Sequence, residues 1–529
     1  MTKRVLLLGD EAVAQGAVDA GITAAYGYPG TPSTEILEYL LREARRDRSI
    51  VASWAANEKV AYEQAVGASF AGRRAIVTMK HVGLNVAADP FMNSAVTGVH
   101  GGLLLAVADD PSMHSSQNEQ DSRYYADFAM VCCFEPASQQ EAYDMTREAL
   151  EVSERHEGPV MLRLVTRLAH SRADVVLASR RAQNPLAPST ERGRWTLLPS
   201  NARVQYQKLV EKQPRLKGYS EETRWNTLHL DPDDRRLGVI TAGVAYNYFR
   251  EAAGPRPPSH LKIGVYPLPE QQVRRLLDHV ERVLVIEEGY PFIERQLFGL
   301  LGRPGRERYG GRLTGELPPF GELTPDIVAR ALGRARPLPD LPAALPVASR
   351  PPQLCQGCPH RDTYESIRLI REALPGAVVF SDIGCYTLGF YRPFEAIDSC
   401  LDMGASIAMA KGAADAGVHP VLCVIGDSTF GHSGITPLLT AAHEDTDMVV
   451  IIVDNSTVAM TGTQESLSTG ERLQEIVKGV GVPADHIRLI KPLPKNVEEN
   501  ARILREEIDH PGLSVVIGQR PCLELKPAK

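Results

Sequence analysis

No apolar run in this sequence reaches the ~20 residues that a membrane-spanning helix needs. Charge of one sign is missing too. Lys and Arg number 58 against 65 Asp and Glu, a net charge of −7, so nothing favours nucleic acid or an anionic membrane surface. Cysteine is sparse: eight in 529 residues without a secretory leader argue against a disulfide framework. The opening Met-Thr-Lys-Arg-Val-Leu-Leu-Leu-Gly-Asp has a short apolar core, but Asp10 and Glu11 follow it. It reads as a first strand or the approach to a helix, not a signal peptide. No short-period repeat is present. What is there is the mix of a soluble globular protein, 43% hydrophobic and 23% charged, long enough for about three or four domains. A cytoplasmic setting is expected, in which cysteines at ligand-like spacing point to metal or cluster binding.

Residues 1–180 alternate strand-like and helix-like segments, with buried strands expected at Ala24–Tyr28, Ala75–Met79, Gly102–Val107 and Pro159–Val165. Residues 181–236 are rich in Arg, Pro, Asn and Gln with little periodicity, and read as a linker. Residues 237–335 resume the α/β pattern at Leu237–Thr241, Ile263–Tyr266 and Val283–Glu287. A Pro-rich stretch, 336–352, reads as a second, extended linker. Residues 353–529 form another α/β region, with strands near Ala377–Asp382, Val421–Ile425, Met448–Val453 and Leu513–Gly518. The expected architecture is three α/β domains, the outer two largest.

Chemistry concentrates at the ends of the apolar strands. Val424-Ile-Gly-Asp-Ser-Thr-Phe and Val450-Ile-Ile-Val-Asp-Asn-Ser-Thr-Val place Asp427 and Asn455 28 positions apart. That spacing fits one strand–helix–strand unit, so both clusters emerge side by side at the carboxyl edge, where open α/β sheets bind ligands. A carboxylate, an amide oxygen and a backbone carbonyl are hard ligands that suit Mg²⁺ holding phosphate oxygens. The other reading is two strand ends in a metal-free sheet. The arrangement resembles the diphosphate-anchoring motif of thiamine diphosphate enzymes, with Gly426 and Asp427 in place and Ser428 where Gly is usual.

Cys355-Gln-Gly-Cys358, Cys385 and Cys522 each follow a strand or linker into an expected turn. Four thiolates converging there suit a 4Fe–4S cluster or zinc; a redox dithiol and free core thiols are the other readings. Cys132, Cys133, Cys400 and Cys423 read as small core hydrophobes. In Tyr28-Pro-Gly-Thr-Pro-Ser-Thr34, Thr31 can cap a helix and Pro32 suits its first position, a helix start that either binds an anion or is simply capped. Glu58 opens a helix rich in small residues, as an acid–base candidate or a carboxylate facing the helix dipole. Lys80, His81 and Asn85 cluster at a strand tip, and His114-Ser-Ser-Gln-Asn-Glu-Gln-Asp121 is a polar loop. Substrate binding and plain solvation both account for such loops.

Taken together, Tyr28-Pro-Gly-Thr-Pro-Ser-Thr, Asn57-Glu-Lys, Met79-Lys-His-Val-Gly-Leu-Asn, the 114–121 loop, Cys355-Gln-Gly-Cys-Pro-His-Arg, Ser381-Asp-Ile-Gly-Cys, Ile425-Gly-Asp-Ser-Thr-Phe and Asp454-Asn-Ser-Thr-Val-Ala-Met-Thr-Gly resemble the large (alpha) subunit of indolepyruvate:ferredoxin oxidoreductase. That subunit belongs to the 2-oxoacid:acceptor oxidoreductase superfamily. The resemblance spans nearly the whole chain, including Tyr266-Pro-Leu-Pro-Glu and Val285-Ile-Glu-Glu-Gly. It implies a pyrimidine-binding domain, a transketolase-C-terminal-like domain and a diphosphate-binding domain. It implies thiamine diphosphate, Mg²⁺ and a 4Fe–4S cluster. The cofactor would lie between two copies of the large subunit, with a small (beta) subunit as further partner. Carried over, Glu58 would contact the aminopyrimidine, and Asp427, Asn455 and the Thr457 carbonyl would hold Mg²⁺. Gly404, Ala405 and Ser406, with Gly426 and Ser428, would line the diphosphate. Thr31 would meet the oxoacid carboxylate, His81 would join the catalytic set, and Cys355, Cys358, Cys385 and Cys522 would ligate the cluster.

Two departures stand out. Large subunits of this family commonly carry a C-terminal ferredoxin-like domain, whereas this sequence ends at Lys529, seven residues after Cys522. One cluster is therefore expected here, passing electrons to another subunit or a soluble carrier, ferredoxin or another acceptor. The usual substrate-carboxylate Arg has no counterpart in Ala108-Asp-Asp-Pro-Ser-Met-His, and Arg167 is the candidate replacement. The expected reaction is oxidative decarboxylation of an aryl 2-oxoacid to an aryl-acetyl-CoA, CO₂ and two electrons. The alternatives are a non-oxidative thiamine-dependent decarboxylase and an inactive assembly subunit.

Overall fold

Short, wholly apolar runs that each lead into a helix can bury both faces only in a parallel sheet covered on two sides, and that is what forms. The computed structural model describes residues 3–298, 309–334 and 352–525. They divide into two compact units, split between residues 341 and 342. Among the described residues no helix is long and apolar enough to cross a membrane.

The first unit is built on a seven-stranded sheet in the order 265–266, 133–134, 160–165, 103–109, 75–80, 24–27, 51–54. All neighbours run parallel except Val265–Tyr266, which pairs antiparallel with Cys133–Phe134. The chain places Val51–Trp54 on one side of Ala24–Gly27 and Ala75–Lys80 on the other. The connection therefore reverses direction between Ala24–Gly27 and Ala75–Lys80, and the crevice beyond their carboxyl ends is where such sheets take ligands. The opening segment is a strand, Lys3–Leu8, paired antiparallel with Arg172–Leu177 outside the main sheet.

The segment expected as a separate middle domain belongs to this first unit. Its strands form a second sheet in the order 309–310, 282–286, 237–242, 259–263, 227–229. The expected strand Ile263–Tyr266 is two: Ser259–Ile263 stays in that sheet, while Val265–Tyr266 crosses to the large one. Val239, Phe249 and Leu284 share one apolar core with Ile36, Leu104 and Leu162 of the large sheet and its helices. A fully buried ion network runs between the same segments. Arg163 meets Asp109 at 2.6 Å and also Glu135, and Arg123 meets Glu287 at 2.8 Å.

The expected linker 181–236 also differs. It contains a 24-residue helix, Pro199–Glu222, with Pro at its first turn. The buried positions Gln205, Leu209, Leu216 and Ser220 lie on one helical stripe, but two of the four are polar, which hides the period from a hydrophobicity reading. The other expected linker, 336–352, lies outside the described residues but for its last position.

The second unit holds a six-stranded, wholly parallel sheet in the order 399–400, 378–381, 421–426, 448–454, 513–519, 487–490. Its reversal lies between Val378–Ser381 and Val421–Gly426. The loops that begin at Asp382, Asp427 and Asn455 therefore leave from one edge of the sheet.

Candidate functional site

At the carboxyl edge of the second unit, Val421–Gly426 runs directly into a helical turn starting at Asp427. Asp427 is 1% exposed, and its Oδ2 has no hydrogen-bond partner. Burial pushes this carboxyl up to about 7. The neighbouring acid Asp454 is fully employed. It accepts from the Ser456 and Gly470 amides at 3.0 and 2.8 Å and from Gln519 Nε2 at 3.0 Å, which pins the loop. The Thr457 hydroxyl donates to the Gln464 carbonyl at 2.8 Å.

The Asn455 side-chain oxygen, as placed, stands 2.9 Å from the Thr457 carbonyl oxygen and 2.9 Å from Asp427 Oδ1. Three oxygens facing one another have two explanations. Either the amide is turned and its NH₂ donates to both, or a cation belongs among them. An octahedral ion with bonds of about 2.0–2.1 Å has ligand–ligand edges of about 2.9 Å, and about 2.9 Å is equally an amide N–H···O distance, so the spacing accommodates either arrangement. With Asp427 Oδ2 also unsatisfied, the donor set fits the ion.

Gly404 heads the helix Ala405–Asp415 at φ +98°, where a Cβ would also stand 2.7 Å from Ser433 Cβ. The amides here are not free. Asp382 accepts from Gly404 N at 2.8 Å and Ser406 N at 3.1 Å, and Ala405 N donates to Asp402 O at 3.3 Å. Ser428 is half-buried beside Asp427. Tyr386, a residue that no periodicity singles out, lies fully against the site. Its ring approaches Gly426 so closely that a Cβ would meet it at 2.6 Å, and its hydroxyl meets Thr429 Oγ1 at 3.1 Å. His360 packs edge-on to that ring with neither imidazole nitrogen hydrogen-bonded, and burial lowers it to about 4.

Cys355 is exposed, Cys358 buried, and Cys385 and Cys522 half-buried. Burial raises the Cys385 thiol to about 11, with Cys358, Cys522 and Cys355 adding to the effect, so the four lie within electrostatic reach. The Cys522 amide donates to the Asn455 carbonyl at 2.9 Å, tying that cysteine to the loop that carries Asn455. Zinc with Zn–S bonds of about 2.3 Å draws its sulfurs to about 3.8 Å of one another. Among the described residues, no three of these thiols lie within 4.8 Å of one another. Of the other four cysteines, Cys400 is half-buried against the Thr387 hydroxyl, not in the core.

In the first unit, Glu58 begins the helix Glu58–Phe70, with Asn57 capping by accepting from Val60 N at 2.9 Å. Glu58 is 7% exposed and lies over Gly83, where a Cβ would stand 2.7 Å from its Cγ. His81 follows Ala75–Lys80 at the start of the next helix, buried, with Nε2 3.2 Å from the Asn118 carbonyl. Lys80 is buried, donates to the Ser115 carbonyl at 2.6 Å, and is lowered by desolvation to about 8. Thr31 does not cap: the helix Thr34–Arg46 starts later, with Ser33 at its N-cap. The turn is closed instead by Ser33 Oγ donating to the Gly30 carbonyl at 2.7 Å and Gly30 N donating to Thr34 Oγ1 at 3.0 Å. Ser115 Oγ reaches the Thr31 carbonyl at 3.3 Å, so Thr31, Lys80 and the 114–121 loop meet at one edge. Arg167 is engaged by Glu322 through two hydrogen bonds, at 2.8 and 2.5 Å.

Two family models match the chain. One is "Pyruvate flavodoxin/ferredoxin oxidoreductase, thiamine diP-bdg" over residues 15–213, and the other is "Thiamine pyrophosphate enzyme, C-terminal TPP binding domain" over 382–517. The indolepyruvate oxidoreductase subunit IorA of Archaeoglobus fulgidus is 38% identical over 98% of this chain and 86% of its own length. That of Methanothermobacter thermautotrophicus is 37% identical over 98% and 87%. Among solved structures, 2-oxoglutarate:ferredoxin oxidoreductase from Magnetococcus marinus shares the fold, with a TM-score of 0.51 and 15% identity over 63% of this chain and 65% of its own.

Proposed function

Since the chain belongs to the indolepyruvate oxidoreductase IorA family of thiamine diphosphate-dependent 2-oxoacid oxidoreductases, we propose that it oxidatively decarboxylates aryl 2-oxoacids of the indolepyruvate or phenylpyruvate type. The products are the aryl-acetyl-CoA, CO₂ and two electrons. The observation that carries the reading is the convergence of Asp427, Asn455 and the Thr457 carbonyl at the edge of a parallel sheet, with the buried Asp427 Oδ2 left without a partner.

Thiamine diphosphate, when bound, supplies the nucleophile and the electron sink for loss of CO₂. The chain's own residues do the rest. Asp427, Asn455 and the Thr457 carbonyl hold Mg²⁺, and Gly404, Ala405, Ser406, Gly426 and Ser428 shape the diphosphate cradle. Glu58 holds and returns a proton at the aminopyrimidine, and buried His81 serves proton transfer at the substrate. Thr31 orients the oxoacid carboxylate. Lys80 supplies the cation there, because Arg167 already spends its guanidinium on Glu322. Cys355, Cys358, Cys385 and Cys522 would hold one 4Fe–4S cluster, which would supply one-electron chemistry toward ferredoxin or another acceptor. The working assembly comprises a second copy of this chain and a small subunit, in the cytoplasm.

The test is anaerobic purification with the small subunit, followed by metal, thiamine and product analysis. The reading expects CoA-dependent aryl-acetyl-CoA with an acceptor reduced in step. Aldehyde without CoA from an iron-free protein would establish a non-oxidative decarboxylase instead. Failure to bind thiamine diphosphate with Mg²⁺ would leave an assembly subunit. Asp427→Asn should abolish Mg²⁺-dependent cofactor binding.

A further inference from the structure

A second oxygen-rich group lies in the first unit, outside every residue used above. Asp10 is the second residue of the helix Gly9–Asp19, Glu35 the second of the helix Thr34–Arg46, and His170 ends the short helix Thr166–Ala169. One ligand atom from each lies within 4.8 Å of the others, and among the described residues no other trio of histidine, cysteine and acidic side chains meets that limit.

Asp10 makes the group more than a chance meeting of acids. It is 0% exposed, and both carboxylate oxygens lack a hydrogen-bond partner. Glu35 Oε2, equally buried and without a hydrogen-bond partner, is 3.5 Å from His170 Nε2. Among the described residues no lysine or arginine pairs with Asp10 or Glu35, while Glu11 and Asp110 add negative potential nearby. His170 faces Glu35, but Asp10, fully buried with no donor, is costly as an anion unless something positive sits against it or it keeps a proton.

The scaffold is fixed in advance. Gly9 N donates to the Ser171 carbonyl at 3.2 Å, and a Cβ on Gly9 would stand 2.7 Å from the Leu168 carbonyl carbon. The turn carrying His170 is therefore packed directly on the helix start carrying Asp10. Glu35 and His170 are about one third exposed, at 36% and 35%, which leaves an entry path from solvent.

We propose that Asp10, Glu35 and His170 bind one divalent first-row transition ion. Two carboxylates and a neutral imidazole match its charge, and the mixed O/O/N set favours Mn²⁺, Fe²⁺ or Zn²⁺ over Ca²⁺. The ion joins three segments far apart in sequence, so its role is to brace the first unit. The competing arrangement is metal-free: a proton shared between Asp10 and Glu35, with His170 paired to Glu35 at 3.5 Å.

The probe is Mn²⁺, a hard ion with little appetite for thiolates. The full chain is stripped with EDTA in an Asp427→Asn background, which removes the other proposed divalent-ion site, and titrated while electron paramagnetic resonance follows free Mn²⁺. One equivalent should bind, with nitrogen hyperfine coupling from a single imidazole and a rise in the thermal midpoint. Asp10→Asn should weaken binding at least tenfold. His170→Gln, at a position about one third exposed and outside the apolar core, should do the same and erase the nitrogen coupling. No bound equivalent, or binding unchanged by both substitutions, overturns the site. So does a shared-proton result, in which Asp10→Asn keeps or raises stability and Mn²⁺ leaves the wild-type midpoint unmoved.

Discussion

Glu58 and Gly83 illustrate how one side chain is held by the absence of another. The carboxylate of Glu58 occupies the volume a Cβ at position 83 would need. Glu58→Gln preserves shape and removes the titratable proton. Turnover should fall by at least about 100-fold, the scale of a lost general acid–base, while thiamine diphosphate still binds. Gly83→Ala should lower turnover by displacing the carboxylate, with the melting curve little changed; wild-type activity in that variant would mean the position of Glu58 does not matter. Lys80 offers a pH test. Its ammonium is held near 8 against an ordinary 10.5, chiefly by desolvation, with Asp110 opposing. Below about 8 both folded and unfolded chains carry the charge, and the folded chain bears its full burial cost. Between about 8 and 10.5 the unfolded chain binds more protons, so stability rises with pH there. Lys80→Met removes that rise. Urea unfolding at pH 7.5 and 9.5 should show the wild type gaining about 1–2 kcal/mol relative to the variant, and a constant difference would refute the shift.

At the scale of elements, legibility followed burial chemistry. Val421–Gly426 and Met448–Asp454 are buried at every residue, so continuous apolar runs marked them to within a residue. The spacing of Asp427 and Asn455 then carried the carboxyl-edge site. Val51–Trp54 escaped because its partly exposed Ala, Ser and Trp lack an apolar run, and Cys133–Phe134 because two residues have no period. The 199–222 helix escaped because Gln205 and Ser220 occupy half its buried stripe. Asp10, Glu35 and His170 could not be linked by any local pattern, since three separate segments bring them together, and Tyr386 gave no signal because its importance lies in the glycine beneath its ring. The helix itself makes a test. Leu216 is 4% exposed, so Leu216→Ala should cost about 2–4 kcal/mol in urea unfolding. A loss below about 0.5 kcal/mol, the surface range, would restore the reading of that segment as a linker.

For the whole molecule, the question is why the sheet around residues 237–286 does not stand as a domain of its own. Arg163 and Arg123 have no exposed side-chain area, and each reaches across to it. Arg163 donates to the Glu288 carbonyl at 3.2 Å, and Arg123 donates to the same carbonyl and to that of Tyr290, both at 3.0 Å. Asp109, Asp121, Glu135 and Glu287 surround these two guanidiniums, and burial pushes Glu287 up to about 7 against the pull of Arg123 and the Ile293 and Glu294 amides. Removing one cation strands buried acids on both sides of the boundary. Arg163→Met should therefore destabilise by about 3–5 kcal/mol. The informative measurement is where the damage appears. If the two sheets fold as one cooperative body, hydrogen exchange in the full chain should accelerate together at Leu103–Asp109 and Arg282–Ile286, while Met448–Asp454 in the second unit keeps its protection. Faster exchange confined to Arg282–Ile286 would mean that the middle segment opens alone, and the boundary expected near residue 236 would be a real one after all.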